Sequence, residues 1–349
     1  MNNNNKYFNI LVPVISVFLG LLIGAIVMVA SGYNAIEGYK ALWQGAFGDA
    51  YYIGETIRKV IPYILAGLAV AFAFRTGLFN IGAEGQVIVG WLAAVWVGIS
   101  FDLPMFIHLP LAILVAALAG ALWGFIPGLL KARLGVHEVI VTIMLNYTAF
   151  HISNTIVRHV LTDTQNRTEN VKPTASLSGD WISNLTDGSR AHYGLIIAIL
   201  AAFVMWFIIE RTTIGYEMKA VGFNQHASMY AGMNVKRNIV ISMMIAGSFA
   251  GLAGAMEGLG TFGYRSVSSG FTNLGFDGIA VALLGTNKAV GVILAAILFG
   301  SLKTGALNMP RASGVPEELA DIIIALIIFF VASSYIIRWV LRRFKKEEK

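Results

Sequence analysis

The sequence predicts an all-α polytopic membrane protein of about ten transmembrane helices in two inverted-repeat halves. Three observations predict it: a composition too apolar for a water-soluble core, a succession of charge-free runs near membrane-spanning length, and a nine-residue pattern that recurs once in each half. Of 349 residues, 57% are hydrophobic and 13% charged, and mean hydropathy is +0.71. No single core hides that much apolar surface, so lipid is the solvent for much of it. The net charge of +6 does not mark a nucleic-acid binder, because the basic residues fall between apolar runs rather than along one face. Cysteine is absent, which excludes disulfides, thiolate metal sites and a cysteine nucleophile.

The first run, Leu11 to Ala30, carries no charge, and about 20 helical residues cross a hydrocarbon core of about 30 Å. It reads as a span rather than a signal peptide, whose apolar core is shorter and whose leader carries more than Lys6. Nine further runs free of Asp, Glu, Lys and Arg follow: 60–74, 85–101, 103–130, 139–157, 191–209, 238–256, 278–287, 289–302 and 322–337. Run 278–287 is too short to cross alone unless its flanks add depth. With the amino terminus inside, 15 of the 25 basic residues fall on the inner side, dominated by the cluster after Arg338, and both termini are cytoplasmic. The chain then reads as one transmembrane domain over 1–349, with halves at about 58–160 and 238–340. An outer polar loop spans 161–192 and an inner basic loop 211–237.

The repeated pattern is Gly77-Leu-Phe-Asn80-Ile-Gly82-Ala-Glu84-Gly85 and Gly270-Phe-Thr-Asn273-Leu-Gly275-Phe-Asp277-Gly278. The first copy follows a span running inward and the second a span running outward, so the halves are inverted. Such repeats place a solute pathway at their interface, where irregular backbone is tolerated because it faces a cavity. Each carboxylate falls in a first helical turn. Glu84 and Asp277 therefore stabilise a helix amino terminus, with Asn80 and Asn273 satisfying loop amides, or line the pathway, since acids at membrane depth face an interior. Aromatic residues cluster near both copies: Phe72, Phe74, Phe79 and Trp91, then Phe262, Tyr264, Phe271 and Phe276. Each reads as helix packing or as part of a lining of rings and amides that suits a flat neutral solute.

No histidine pair has metal-ligand spacing, and no Walker-type glycine loop or Gly-x-Ser-x-Gly elbow occurs. The chain is expected to need no cofactor and to be no enzyme, with energy coming from a partner or a gradient. The inner loop has the punctuation of a short helix, with Asn224 as cap, Gln225 to Ala231 as body and Gly232 as stop. It reads as a helix lying on headgroups or as a coupling helix seated on a separate ATPase.

At these residues the chain resembles the permease subunits of ABC importers in the branched-chain amino acid and simple-sugar superfamily, most closely the bacterial nucleoside permeases. The resemblance covers nearly the whole chain. It is carried by Phe79-Asn-Ile-Gly-Ala-Glu-Gly-Gln86, His137-Glu-Val-Ile-Val-Thr-Ile-Met-Leu-Asn-Tyr147, Ala220-Val-Gly-Phe-Asn224, Tyr230-Ala-Gly-Met-Asn-Val-Lys236 and Gly275-Phe-Asp-Gly-Ile-Ala-Val-Ala-Leu-Leu-Gly285. One departure is Phe223-Asn-Gln-His226, where many relatives carry Glu-Asn-Pro. The resemblance implies a bacterial cell-membrane subunit working with a second homologous permease, ATP-binding ABC subunits and an extracellular substrate-binding lipoprotein. It also implies nucleosides such as guanosine as cargo, with a ribose-type sugar permease or a gradient-driven carrier as the alternatives. The expected pathway residues are Phe74, Phe79, Asn80, Glu84, Gln86, Asn146, Asn273 and Asp277. The expected ATPase-coupling residues are Gly222, Asn224, Ala227, Ala231 and Gly232.

Overall fold

A computed structural model describes residues 3–162 and 166–333. The basic cluster after Arg338 lies outside the described residues. These fold into fifteen α-helices with no strand among them. The first run becomes α1 (Asn3–Ala30). A short helix that the charge-free runs did not announce, α2 (Ala35–Phe47), follows, capped by Asn34, whose side chain accepts from the amides of Ile36 and Glu37. Then comes α3 (Ala50–Arg75), buried without interruption from Val60 to Ala73. A helix apolar all round belongs at the centre of a bundle, and α3 occupies it.

The first half continues through α4 (Ala83–Ser100), α5 (Met105–Leu134) and α6 (Glu138–Ile156), the last prolonged by a π-turn at Val157–Leu161. The polar loop holds a 3-10 turn at Pro173–Ala175 and the short α7 (Asp180–Leu185). After α8 (Gly194–Arg211) come two short helices, α9 (Thr213–Phe223) and α10 (Gln225–Tyr230). The second half opens with α11 (Val235–Ala255), prolonged by a π-turn at Met256–Phe262. It closes with α12 (Leu274–Leu284), α13 (Ala289–Ala306), α14 (Met309–Ser313) and α15 (Glu317–Ala332). Among the described residues, eight helices are long and apolar enough to cross a membrane. With 11 residues, α12 rises only about 16 Å, and the irregular segment 263–273 leads into it.

Packing at the centre depends on missing side chains. A Cβ on Gly120 would lie 2.2 Å from the carbonyl of Gly247, one on Gly247 would lie 2.2 Å from that of Gly120, and one on Gly90 would lie 2.4 Å from the Cα of Gly251. Small residues bring α4, α5 and α11 into backbone contact, where dispersion rather than hydrophobicity holds helices in lipid. Polar contacts gather at the two ends of the bundle. At one end Arg75 and Lys219 pair with Glu210, Lys131 pairs with Glu138, and Asn238 donates to Glu217. This basic end carries α9 and α10; loop 166–193 covers the other.

Candidate functional site

The first repeat copy is a closed knot of amides. Helix α3 ends in a left-handed Gly77 (φ 74°), with the amide of Leu78 donating to the carbonyl of Ala73 at 2.9 Å, a Schellman-type stop. Asn80 is fully buried: its Oδ1 accepts from the Gly82 amide at 3.0 Å and its Nδ2 donates to Gln86 Oε1 at 2.9 Å. From α6, Asn146 Oδ1 accepts from the Gly85 amide at 2.8 Å, while its Nδ2 donates to the Ile81 carbonyl at 3.1 Å. Asn80, Gln86 and Asn146 thus spend their polarity on irregular backbone that lipid could not satisfy. Phe74 stacks on Phe79 with centroids 5.1 Å apart, and Phe79 is 38% exposed.

The second copy is organised by the first. Glu84 sits in the opening turn of α4 but caps the other half: its carboxylate accepts from the Thr272 amide (2.8 Å), the Thr272 hydroxyl (2.7 Å), the Asn273 amide (3.0 Å) and the Gly275 amide (2.7 Å). Four donors converging on one buried carboxylate form a charge-assisted cap on α12. The approach is so close that a Cβ on Gly275 would lie 2.2 Å from the Glu84 nitrogen. The structure corrects the expectation for Asn273. It stands left-handed at φ 63° with no side-chain cap bond, and its side chain is exposed rather than closing loop amides. Asp277 accepts from Tyr63 Oη at 3.0 Å and has Lys303 Nζ at 4.0 Å, with Lys303 also on Asp321 at 2.8 Å. Charges at membrane depth are tolerated when paired in this way.

Segment 263–273 joins the second π-turn to α12 and is tethered along its length. Asn154 of α6 grips Ser268 through both amide atoms, donating to its carbonyl at 2.9 Å and accepting from its amide at 3.0 Å. The Trp91 indole donates to the Tyr264 carbonyl at 3.0 Å, and the buried Arg265 guanidinium lies 4.5 Å from the Trp91 ring centroid. Asn154 escaped the sequence reading although a signal existed. It lies eight residues after Asn146 in a charge-free run, which puts both amides on one helix face.

On the basic end, Asn224 caps α10 by accepting from the Ala227 amide at 3.0 Å, and Gly232 (φ 81°) ends it. Ala227 and Ala231 are both exposed on this helix, flanked by Phe223 (91% exposed) and Tyr230 (88% exposed). Gly222 touches the first repeat copy directly: a Cβ there would lie 2.7 Å from the Gly77 nitrogen, and one on Gly77 would lie 2.4 Å from the Gly222 Cα. The structure therefore brings Gly222 to the first repeat turn, whereas Asn224, Ala227, Ala231 and Gly232 form a separate exposed group.

A bundle of membrane-crossing helices, with irregular backbone held inside it by amides and a carboxylate, is the architecture of a membrane permease. Residues 52–332 match the family described as branched-chain amino acid transport system / permease component, and the chain belongs to it. It is 64% identical over 339 residues to the guanosine ABC transporter permease protein NupP of Bacillus subtilis, covering 97% of each chain. It is 44% identical to the nucleoside ABC transporter permease protein NupB of Lactococcus lactis subsp. cremoris, covering 98% of this chain and 96% of that one. It is 34% identical to the glucose ABC transporter permease protein TsgB13 of Haloferax volcanii, covering 92% and 87%. No solved structure matches the chain.

Proposed function

We propose that the chain is the membrane-spanning permease subunit of an ATP-driven importer for nucleosides in a bacterial cell membrane. The observation that carries this reading is near-full-length similarity to a guanosine permease at 64% identity and a nucleoside permease at 44%. The partners in this reading are a second homologous permease, ATP-binding subunits and an extracellular binding lipoprotein. The basic end faces the cytoplasm, in keeping with the distribution of Lys and Arg. Helix α10 with its exposed Tyr230, and the exposed Phe223 that ends α9, form the face that docks on the ATPase. Phe79, Asn273 and Asp277 are the members of the repeat turns that meet the solute, with Phe74 backing Phe79. Asn80, Gln86, Asn146 and Glu84 are the frame that holds them.

Uptake of labelled guanosine, ribose, glucose and guanosine monophosphate by a deletion strain, with and without the restored chain, tests this reading. The expected result is ATP-dependent uptake of the nucleoside and none of the monophosphate, since a phosphate at membrane depth needs cationic partners along its way. Preferential ribose or glucose uptake transfers the chain to the sugar-carrying branch represented by TsgB13. Uptake that persists without ATP, with no ATPase co-purifying, replaces the importer by a gradient-driven carrier. An Ala231→Trp chain that inserts, keeps its ATPase and transports normally removes the coupling role of α10.

A further inference from the structure

A cavity of about 350 Å³ opens at the end of the bundle opposite α9 and α10, between the polar loop and the π-turn that prolongs α11. We propose that this cavity is a binding site for the nucleoside itself, with the base stacked on Phe262 and the ribose held by serine and threonine hydroxyls. The inference rests on the nucleoside reading above and adds a site outside the repeat turns.

The wall is built for a flat ring. Phe262 lines the cavity and is 41% exposed. It stacks on Trp91 with centroids 5.3 Å apart and planes 18° from parallel. Trp91 is fixed in turn by its bond to the Tyr264 carbonyl and by the Arg265 guanidinium over its ring. A ring locked from behind loses little entropy on receiving a second ring, and offset stacking is its preferred contact. Volumes of about 300–1,000 Å³ are those in which small molecules bind.

The polar lining suits a neutral polyol. Thr261 is 5% exposed and lines the cavity, and its hydroxyl has no hydrogen-bond partner among the described residues. A buried hydroxyl left in that state is destabilising, and a ligand hydroxyl that reaches it removes the cost. Ser176 and Ser178 lie across the opening with their hydroxyl oxygens 2.5 Å apart, and Ser183 stands beside them on the lining. Of the charged residues on the lining, Arg190 has its side chain 56% exposed and shares Glu55, at 3.3 Å, with Arg58, at 2.8 Å, and Asp180 stands on the same wall. A free sugar leaves the Phe262 face unused. The π-turn makes this arrangement by widening α11 at Met256–Phe262, a distortion that recurs at functional sites.

The test is binding of tritiated guanosine to the purified full-length chain in lipid nanodiscs without a binding protein, with adenosine, ribose and guanosine monophosphate as competitors. Nucleosides should compete at least about fivefold better than ribose, the lower bound for one base–aromatic stack. Phe262→Ala should weaken binding by a similar factor, Phe262→Trp should retain it, and Thr261→Val should weaken it with Phe262 intact. Because the chain has no native cysteine, Ser178→Cys gives a single thiol in whole cells, and guanosine should slow its reaction with an impermeant maleimide. Guanosine import by cells with no guanosine binding in nanodiscs and no protection of the thiol overturns the proposal while leaving the nucleoside function standing. Protection by the binding protein alone, with guanosine ineffective, assigns the cavity to protein docking and also overturns it. Absence of guanosine uptake in whole cells strikes the proposed function, and the nanodisc measurement still decides the site.

Discussion

The two copies of Gly-x-x-Asn-x-Gly-x-acid-Gly share a sequence and divide a task. In the first, Asn80 is buried and bonded, and Glu84 reaches out of its own half. In the second, Asn273 has an exposed side chain and meets Glu84 through its amide alone, while Asp277 is held by Tyr63 and Lys303. One copy supplies the acceptor and the other supplies donors. A repeated pattern therefore fixes where two chain reversals fall, while the environment decides what each polar group does. That environment differs because Asn146 of α6 closes the first turn, and the segment before the second is held instead by Asn154.

The largest effect should come from the carboxylate that joins the copies. Glu84→Ala strands four donors and should cost on the order of 3–5 kcal/mol. Asp277→Asn, which disturbs one Tyr63 bond and a longer ion pair, should cost about 1 kcal/mol. Both are read as unfolding midpoints of the detergent-solubilised protein, and equal losses would abolish the asymmetry. Next comes the second glycine of the pattern. A Cβ on Gly275 meets Glu84 backbone at 2.2 Å, while one on Gly82 meets the Thr142 side chain at 2.9 Å. Gly275→Ala should cost about 2–3 kcal/mol and Gly82→Ala about 1 kcal/mol, in the same assay.

The first glycine gives a sharper contrast of smaller size. Gly77 is left-handed and pressed against Gly222, so Gly77→Ala should lose about 1–2 kcal/mol. Gly270 has ordinary backbone with nothing within 4 Å of an added Cβ, and Gly270→Ala should stay within about 0.5 kcal/mol. The smallest effect belongs to Asn273→Gly. It keeps the left-handed turn and the amide that Glu84 needs, and should change stability by less than about 0.5 kcal/mol. A change in uptake at unchanged stability would then report the exposed Asn273 side chain itself.

What the sequence made legible was what lipid and local geometry impose. Charge-free runs had to become helices, because hydrocarbon leaves no other home for a peptide group. The Asn224 cap and the Gly232 stop depend on neighbours within a few residues. The link from Glu84 to Thr272, Asn273 and Gly275 joins positions about 190 residues apart, and no local rule pairs them. The pattern did mark both ends of that link without showing that they meet. Arg265 stands between charge-free runs, where a cation is expected to be solvated, yet in the fold it is buried against Trp91. A cation on an aromatic face has no sequence spacing to announce it. Helix α2 was passed over because Glu37 and Lys40 interrupt its apolar stretch.

The meeting of Gly77 with Gly222 has a mechanical consequence. Most joints between helices are cushioned by side chains, which change rotamer and absorb small displacements before the neighbouring backbone feels them. Here main chain bears on main chain with nothing between, so the joint has almost no slack. A side chain added at either glycine would have no rotamer by which to escape the facing backbone. The basic end and the first repeat turn therefore meet at a joint that leaves no room for growth on either side.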